Sequence, residues 1–527
     1  MELKSPTPRS GESLLILASI CLAALVLPLS FTGGAVATPA IGRALGGTPT
    51  GLTWITNAFM LSFGSLLMAA GALADQFGRK RVFAIGLALF TLTSLALSVA
   101  PSVLWIDWMR AVQGVGAAAA LSSGSAALAQ EFDGHARTRA FSALGATFGI
   151  GLAFGPLVAG ALIEFLGWQA VFLTTAALGL LAMLFGLPRM RETRDPGAQG
   201  LDWPGTITFS GTLALLTFGL IQAPESGWSS PLVVGLLAGA GLLLVAFVIV
   251  EARVARPMLD LSLFRLGRFV GVQMLPIGTC YSFIVLVVML PLRLIGVERM
   301  TELEAGLLMV ALSLPVMVVP FLAASLTRHA SAGVLSGLGF LIAAAGLHWL
   351  SYARVDGPLL DYVLPMFVIG LGSGLPWGLM DGLAISVVPV ERAGMATGIF
   401  NTARVAGEGI TLAIVSAVLA GLTYGALVDE IDADDPTPRE QVVLAARRLT
   451  TGDLDAALSL VPRVIPGRVV AAHDTAFHGL IHVLTGVTVL AAVSAFGFLS
   501  GRRRLSRSTR QSDAGPSVYR DAVDTQN

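Results

Sequence analysis

Among the ionisable side chains inside long apolar stretches of this sequence, where a charge is costly and usually has a function, the candidates for chemistry are Arg110, Asp381, Arg404 and Glu408. A carboxylate in apolar surroundings can take up and release a proton, so Asp381 and Glu408 are candidates for proton exchange. Arg404 precedes Glu408 by one helical turn, so the two can form either a titrating pair or a fixed ion pair. Arg110 has Asp107 one turn earlier as a neutralising partner, and snorkelling towards an interface is the alternative.

Other reactive chemistry is not visible in the chain. Neither of the lysines, Lys4 and Lys80, belongs to a P-loop, so ATP is not expected as the energy source. Cys21 and Cys280 both lie in apolar runs and have neither disulfide nor metal-ligand spacing. The formal net charge of zero gives no basic surface for nucleic acid. We therefore expect neither an enzyme nor a cofactor, a metal ion or a nucleic-acid partner.

The composition places these residues in a lipid bilayer. The chain has 527 residues, of which 55% are hydrophobic and only 13% are charged, whereas soluble proteins average about 25% charged residues. A membrane helix needs about 20 apolar residues, twice the length of a barrel strand. Runs of this length occur fourteen times, at 13–34, 52–74, 82–100, 103–129, 140–163, 168–187, 204–222, 231–250, 269–291, 304–326, 331–351, 359–388, 394–422 and 477–500. The sequence predicts an all-α integral membrane protein.

The basic residues predict the orientation of these spans. With the N-terminus in the cytoplasm, most of the 33 Lys and Arg residues fall in cytoplasmic segments, as the positive-inside rule requires. An even number of spans then places both termini in the cytoplasm. The segment 423–476 becomes an outer loop, and Leu454, Leu458 and Val461 give part of it the spacing of an amphipathic helix.

Polar breaks and an internal repeat suggest how the spans are grouped. Residues 139–145 and 392–398 share a pattern, Arg-Ala followed by small residues and a Gly, at equivalent places in the first six and last six spans. Paired repeats are typical of secondary transporters, whose substrate site lies between the repeats. The predicted divisions are a cytoplasmic N-terminus at 1–12, a six-helix bundle at 13–187, a linker with two extra membrane helices at 188–268, a second six-helix bundle at 269–500 and a cytoplasmic disordered tail at 501–527.

A basic turn joins the second and third spans. It reads Gly71-Ala-Leu-Ala-Asp75-Gln-Phe-Gly78-Arg79-Lys-Arg81. Gly78 permits a tight turn, and Asp75 can accept hydrogen bonds from an exposed helix N-terminus. Arg79 and Arg81 would face lipid headgroups or acidic side chains, and a loop that only sets the topology is the alternative.

Two further motifs lie within spans. The fourth span reads Arg110-Ala-Val-Gln113-Gly-Val-Gly. The fifth span carries Gly151, Gly155, Pro156 and Gly160, and the small residues allow close helix packing while Pro156 bends the helix.

These three motifs resemble the signatures of the major facilitator superfamily, and the two extra central spans resemble its fourteen-helix drug:proton antiporter family. The resemblance implies the major-facilitator fold, a conformational latch at Gly71, Asp75, Gly78, Arg79 and Arg81, and an antiporter motif at Gly151–Gly160. It also implies a role in proton coupling for Arg110. One departure concerns the first span, where Ser30 replaces the family's usual Asp, which leaves the usual proton site empty and makes Glu408 and Asp381 the candidates.

The resemblance completes the predicted function. We expect a transporter of the bacterial cytoplasmic (inner) membrane that acts as a monomer in the lipid bilayer and exports hydrophobic or amphipathic small molecules in exchange for protons. An importer or uniporter of a small metabolite is the alternative, and a membrane-embedded enzyme or scaffold is the alternative of another class. The expected pocket residues are Phe59, Gln113, Phe148, Trp377 and Phe400.

Overall fold

The structure is a computed structural model that describes residues 10–132, 134–194, 202–254, 259, 261–353, 357–388, 393–431 and 438–500. The predicted tail at 501–527 and most of the predicted N-terminal segment lie outside these residues. The first eight helices are α1 (Ser10–Leu45), α2 (Pro49–Phe77), α3 (Arg79–Ser98), α4 (Val103–Glu131), α5 (Gly134–Leu166), α6 (Gln169–Gly186), α7 (Trp203–Ser226) and α8 (Pro231–Arg253). The others are α9 (Gly267–Thr279), α10 (Val285–Gly296), α11 (Glu302–Leu326), α12 (Ala332–Leu350), α13 (Leu360–Ser386), α14 (Ala393–Glu430), α15 (Arg439–Thr450), α16 (Leu454–Leu460) and α17 (Pro466–Leu499).

The predicted all-α membrane class is confirmed. Thirteen helices among the described residues are long and apolar enough to cross a membrane. In this count α9, a π-helical turn at Cys280–Ile284 and α10 form one continuous span. The remaining predicted span, 103–129, is α4, whose 29 residues are long enough to cross but include the polar side chains of Asp107, Arg110 and Gln113.

Several helices extend beyond the apolar runs. The first predicted span, 13–34, is part of a helix that continues to Leu45 with Pro28 and Pro39 inside it. Hydropathy detects only the part of a helix that is apolar, and prolines are tolerated in membrane helices where neighbours compensate for the lost hydrogen bond. The α2–α3 turn is tight because Gly78 adopts a φ of 112°, which a residue with a side chain rarely adopts.

The helices pack as two groups joined along a seam. The first half consists of α1 to α6, and the second half of α9 to α14 with α17. The halves meet where α2 packs against α14 and α5 packs against α11. Helices α7 and α8 pack against each other, and α7 also contacts both α2 and α14 beside the seam.

The predicted outer loop 423–476 is largely helical. Helices α14 and α17 extend into it, and α15 and α16 lie between them in a small apolar core that includes Val442, Leu449 and Val461. We call α15 and α16 the cap, the end of the bundle that carries them the cap face, and the opposite end the Gly78 face.

Contacts between the halves concentrate at the cap face. Arg43 of α1 pairs with Glu302 of α11, and the Leu303 backbone N–H donates to Glu164 of α5 over 3.1 Å. A Cβ on Gly160 would lie 2.2 Å from the Glu302 carbonyl oxygen. Towards the Gly78 face, by contrast, a Cβ on Gly145 or Gly398 would meet no described atom within 4 Å. Among the described residues, polar contacts between the halves therefore lie at the cap face.

Candidate functional site

The polar centre of the first half is built around Arg110, which is fully buried in α4. Its Nη1 donates to Ser30 Oγ of α1 over 2.8 Å and to Gln113 Oε1 over 2.7 Å. Its Nε donates to the Ile55 carbonyl of α2 over 2.8 Å. Gln113 Nε2 in turn donates to Ser94 Oγ of α3 over 2.7 Å. One arginine thus ties four helices together, and we call this network the Arg110 centre.

The partners of Arg110 are all neutral. Among the described residues, no carboxylate oxygen lies within 4.0 Å of its guanidinium nitrogens. The Phe59 ring centroid lies 4.3 Å from its Cζ, in cation–π range. Asp107, the partner that the sequence suggests, makes no ion pair with it, and its Oδ1 is a buried atom without a hydrogen bond. Ser30, which stands where the related family has an acid, contacts the cation directly.

The second half has its own centre, where the charges are carried by acids as well as by a base. Arg404 Nη1 of α14 lies 3.4 Å from Asp381 Oδ1 of α13. The Arg404 side chain is only 12% exposed, whereas that of Asp381 is 57% exposed although it lies within a membrane-spanning helix. Glu408 is half-buried one turn further along α14, where its carboxylate interacts electrostatically with Arg404 and Cys280. We call these three residues the Arg404 centre.

The pairing at the Arg404 centre differs from the one that the sequence suggests. The i, i+4 spacing favours an ion pair between Arg404 and Glu408, but in the structure the guanidinium bonds to Asp381 instead. No hydrogen bond within the described residues involves the Glu408 carboxylate. A change in the protonation state of Glu408 therefore does not require a hydrogen bond or an ion pair within 4.0 Å to break first.

The predicted pocket residues fall into three places. Phe59 and Gln113 belong to the Arg110 centre and are fully buried, so neither presents surface to a ligand in this conformation. Phe148 of α5 and Phe400 of α14 both lie 5.7 Å from Arg404 Cζ, so one ring comes from each half. Trp377 packs edge-on against Phe283, with ring centroids 6.1 Å apart.

The basic turn after α2 is clamped within the first half. Asp75 Oδ1 accepts from Arg79 Nε over 2.9 Å and from Nη2 over 2.6 Å. Arg81 Nε lies 3.5 Å from Glu192 Oε2, just after α6. A Cβ on Gly78 would lie 2.3 Å from Glu192 Oε1, so the turn needs glycine for space as well as for its φ. A Cβ on Gly71 would touch Ser122 at 3.9 Å, an ordinary contact.

The glycines of α5 face two different neighbours. A Cβ on Gly151 would lie 2.4 Å from Pro28, and one on Gly155 would lie 2.0 Å from Thr32, both in α1. Gly160 instead meets the start of α11 in the other half. Pro156 is also at this contact, because a Cβ on Gly306 would lie 2.9 Å from its carbonyl oxygen. The motif therefore joins α5 to its own half and to the second half.

A buried ion-pair network at the cap face was not predicted. Arg293 at the end of α10 is 3% exposed, although its sequence position suggests a loop. Its Nε bonds to Glu298 and its Nη2 to Asp474, each over 2.6 Å, and its Cζ lies 4.5 Å from the Phe477 ring centroid. One feature of the sequence could have indicated this network. An arginine ends an apolar run, and acidic residues lie in predicted loops at the same end of the bundle.

These features define a helical, multi-pass membrane protein whose two halves meet between two charged centres. The sequence model described as "Major Facilitator Superfamily" matches residues 20–412. Because this match covers well over half of the chain, the chain belongs to that superfamily.

The comparisons with individual proteins agree with this assignment. The chain is 34% identical over 435 residues to the puromycin resistance protein pur8 of Streptomyces alboniger, covering 81% of this chain and 85% of the relative. It is 35% identical over 434 residues to the cephamycin export protein CmcT of Amycolatopsis lactamdurans, covering 80% of this chain and 87% of the relative. A crystal structure of a bacterial homologue of the human lysosomal transporter Spinster, inward-facing and occupied, shares the fold with a TM-score of 0.60 at 13% identity, covering 93% of this chain and 97% of that chain.

Proposed function

We propose that this protein is a secondary active transporter that exports hydrophobic or amphipathic small molecules in exchange for protons by alternating access. The observation that carries the proposal is the Arg404 centre, which places two carboxylates and an arginine beside aromatic rings from both halves. A group that exchanges protons next to an apolar surface at the seam couples the charge of the site to its occupancy. The names of the relatives, which include a resistance protein and an export protein, support export of compounds of this class.

The present conformation fits the state that is open at the Gly78 face. The halves are joined at the cap face through Arg43 and Glu302, while a Cβ on Gly145 or Gly398, near the Gly78 face, would meet no described atom within 4 Å. Asp75 is bound by Arg79 in its own half, so its carboxylate does not hold the start of α14. In this proposal Asp75 caps α14 only after the Gly78 face closes, and the motif at Gly71, Gly78, Arg79 and Arg81 acts as the latch of that state.

The orientation follows from the basic residues. We place the Gly78 face in the cytoplasm, the cap outside, both termini inside and the protein in the bacterial inner membrane. A cysteine at the exposed Gln441 of the cap should then react with a membrane-impermeant maleimide in intact spheroplasts. Reaction only after lysis would refute this orientation. The divisions at 13–187, 188–268 and 269–500 follow the packing of the two halves and of the α7–α8 pair.

The roles within the site follow from its chemistry. Glu408 and Asp381 carry protons, Arg404 holds whichever carboxylate is ionised, and Arg110 positions four helices of the first half. Phe148, which is only partly buried, contacts the substrate in the open state, and the buried rings of Phe400 and Trp377 support the apolar wall behind it. The α5 motif with Gly151, Gly155, Pro156 and Gly160 forms the surface along which the halves move.

Proteoliposomes with an imposed pH gradient test the proposal, with puromycin as the probe. Uptake of puromycin into vesicles in exchange for internal protons, abolished by collapse of the gradient, is the expected result. Puromycin movement that runs at the same rate with and without the gradient would contradict antiport and favour a uniporter. Empty vesicles and vesicles with Glu408→Gln protein are the controls.

A further inference from the structure

Two adjoining cavities lie on the seam between the halves, under the cap. Each encloses about 30 Å³, and both are lined by Thr53 of α2, Ser416 of α14 and Thr450 of α15. One cavity reaches Pro49 and Arg447 at the cap face, and the other reaches inward to Asn57. They share three lining residues and so lie side by side, and we call the pair, which extends from the cap face towards the centre of the bundle, the passage.

The passage has a size that suits water, and hydroxyl groups stand among its mainly apolar lining. A volume of about 30 Å³ in each cavity leaves room for about two water molecules and none for a drug-sized ligand. The hydroxyls of Thr38, Thr53 and Thr450 donate to backbone carbonyls of their own helices, so their oxygens can accept hydrogen bonds from water. Asn57 at the deep end is 2% exposed, and its Oδ1 has no hydrogen-bond partner. A water molecule in the passage would satisfy this buried acceptor.

The deep end of the passage lies one helical turn from Glu408. A Cβ on Gly409 would lie 3.3 Å from Met60 Cβ, which fixes the level of α14 against α2. The two helices run in opposite directions, so Asn57 lies level with Leu412 on the cap side of Glu408. Glu408, Leu412 and Ser416 follow each other at i, i+4 spacing, about 6 Å apart along one face of α14. Leu412 is 1% exposed and lines the passage, so its side chain separates the passage from Glu408.

We propose that this passage is the route by which protons from the cap side reach Glu408, and that Leu412 closes it while the Gly78 face is open. This inference rests on the proposed antiport function. A proton that enters at the cap face is passed along the waters of the passage, each of which accepts one proton and donates another. The Glu408 carboxylate takes up the last proton and becomes neutral, so atoms and charge balance without a further reactant.

Coupled exchange of substrate and protons requires that Leu412 close the passage. If Glu408 contacted both sides at once, protons would cross without substrate and the gradient would be lost. The other groups that face Glu408 are Arg404 of α14 and Cys280 of the π-helical turn, and Asp381 of α13 reaches it through Arg404. None of these lines the passage, whose charged group is Arg447 at its mouth.

A proton-leak assay without substrate tests the gate. Purified variants are reconstituted into vesicles that contain a pH-sensitive dye, and a pH gradient with a valinomycin-clamped potential drives the protons. Leu412→Ser should raise the passive proton flux at least tenfold, and adding Glu408→Gln to the same chain should cancel the increase. Leu412→Ile keeps an apolar plug and should stay at the wild-type flux. Leu419→Ser makes the same change at another buried position of α14 and controls for general loosening.

A second variant tests the passage itself. Asn57→Leu removes the buried acceptor and should slow puromycin-dependent proton flux at least fivefold, while puromycin binding in detergent stays unchanged. A leak in Leu412→Ser no larger than in Leu419→Ser, or normal coupled flux in Asn57→Leu, would overturn the inference. If Leu412→Ser does not purify as a monodisperse protein, Leu412→Ala gives the same reading. Absence of coupled flux in the wild type would refute the antiport proposal instead, and the substrate-free leak assay would still report on the passage.

Discussion

The two charged centres of this protein hold an arginine in opposite ways. Arg110 in the first half is fully buried and bonds only to neutral oxygens, those of Ser30, Gln113 and the Ile55 backbone. Arg404 in the second half bonds to a carboxylate, Asp381, and that carboxylate is 57% exposed. One cation is fixed by groups whose charge does not change, and the other faces groups that can be either charged or neutral.

For the proposed proton antiport, this difference separates the roles of the two halves. A hydroxyl, an amide and a backbone carbonyl keep their protonation throughout the physiological pH range, so the Arg110 centre has no obvious proton acceptor among its direct partners. The Arg404 centre has two, Asp381 and Glu408. We therefore propose a structural role for the Arg110 centre and proton coupling at the Arg404 centre.

The largest effect is expected at Glu408. Glu408→Gln keeps the size of the side chain and mimics its protonated form, so puromycin should still bind because the apolar rings remain. Export driven by a pH gradient should fall at least tenfold, measured as puromycin transport into vesicles. Glu440→Gln, the same change on the exposed side of the cap, should transport normally. Normal gradient-driven transport by Glu408→Gln would remove this residue from the coupling mechanism.

A smaller effect on transport is expected at Asp381. Asp381→Asn removes the partner of Arg404, which is then free to pair with Glu408 and to hold it ionised. Transport should fall severalfold, and the loss should be greater when the imposed pH gradient is small. Stability should change by less than about 1 kcal/mol, because the carboxylate is largely exposed. Thermal unfolding in detergent checks the second statement, and an unchanged transport rate would show that the Asp381 pair plays no part in coupling.

The Arg110 centre should respond in stability before it responds in transport. Ser30→Asp places a carboxylate against the buried guanidinium, a charge-assisted contact worth about 1–3 kcal/mol. We expect a higher melting temperature than for Ser30→Asn, which has a similar size and no charge. Equal melting temperatures would mean that Arg110 is already neutralised by a group outside this network.

The smallest effect is expected outside both centres, at the latch. Asp75→Asn removes the charge that would stabilise the N-terminus of α14 when the Gly78 face closes, about 0.3–1 kcal/mol. Export should slow roughly two- to fivefold, while Glu408-dependent proton binding stays the same. Slower export together with altered proton binding would connect the latch to the charged centres and contradict the separate roles proposed for them.

The sequence predicted the elements of both centres but not their pairing. Long apolar runs identify membrane helices, and an isolated Arg, Asp or Glu within them stands out. The rotation of each helix is harder to predict, because lipid-facing and protein-facing surfaces are both apolar. Ser30 and Arg110 are 80 residues apart and meet only through packing of α1 on α4. Arg404 likewise bonds to Asp381, 23 residues away, instead of to its helical neighbour Glu408. Arg293 lies just beyond the apolar run 269–291, a position that suggests a loop, and its burial comes from tertiary contacts.

Proton release on substrate binding is the most direct test of whether Glu408 couples protons to transport. Puromycin is added to purified protein in weakly buffered detergent solution, and a pH indicator follows the protons that leave. We expect release by the wild type and by Ser30→Ala, and no release by Glu408→Gln, which still binds the probe. Undiminished release by Glu408→Gln, with release lost in Ser30→Ala, would place proton coupling at the Arg110 centre and contradict the role proposed for Glu408.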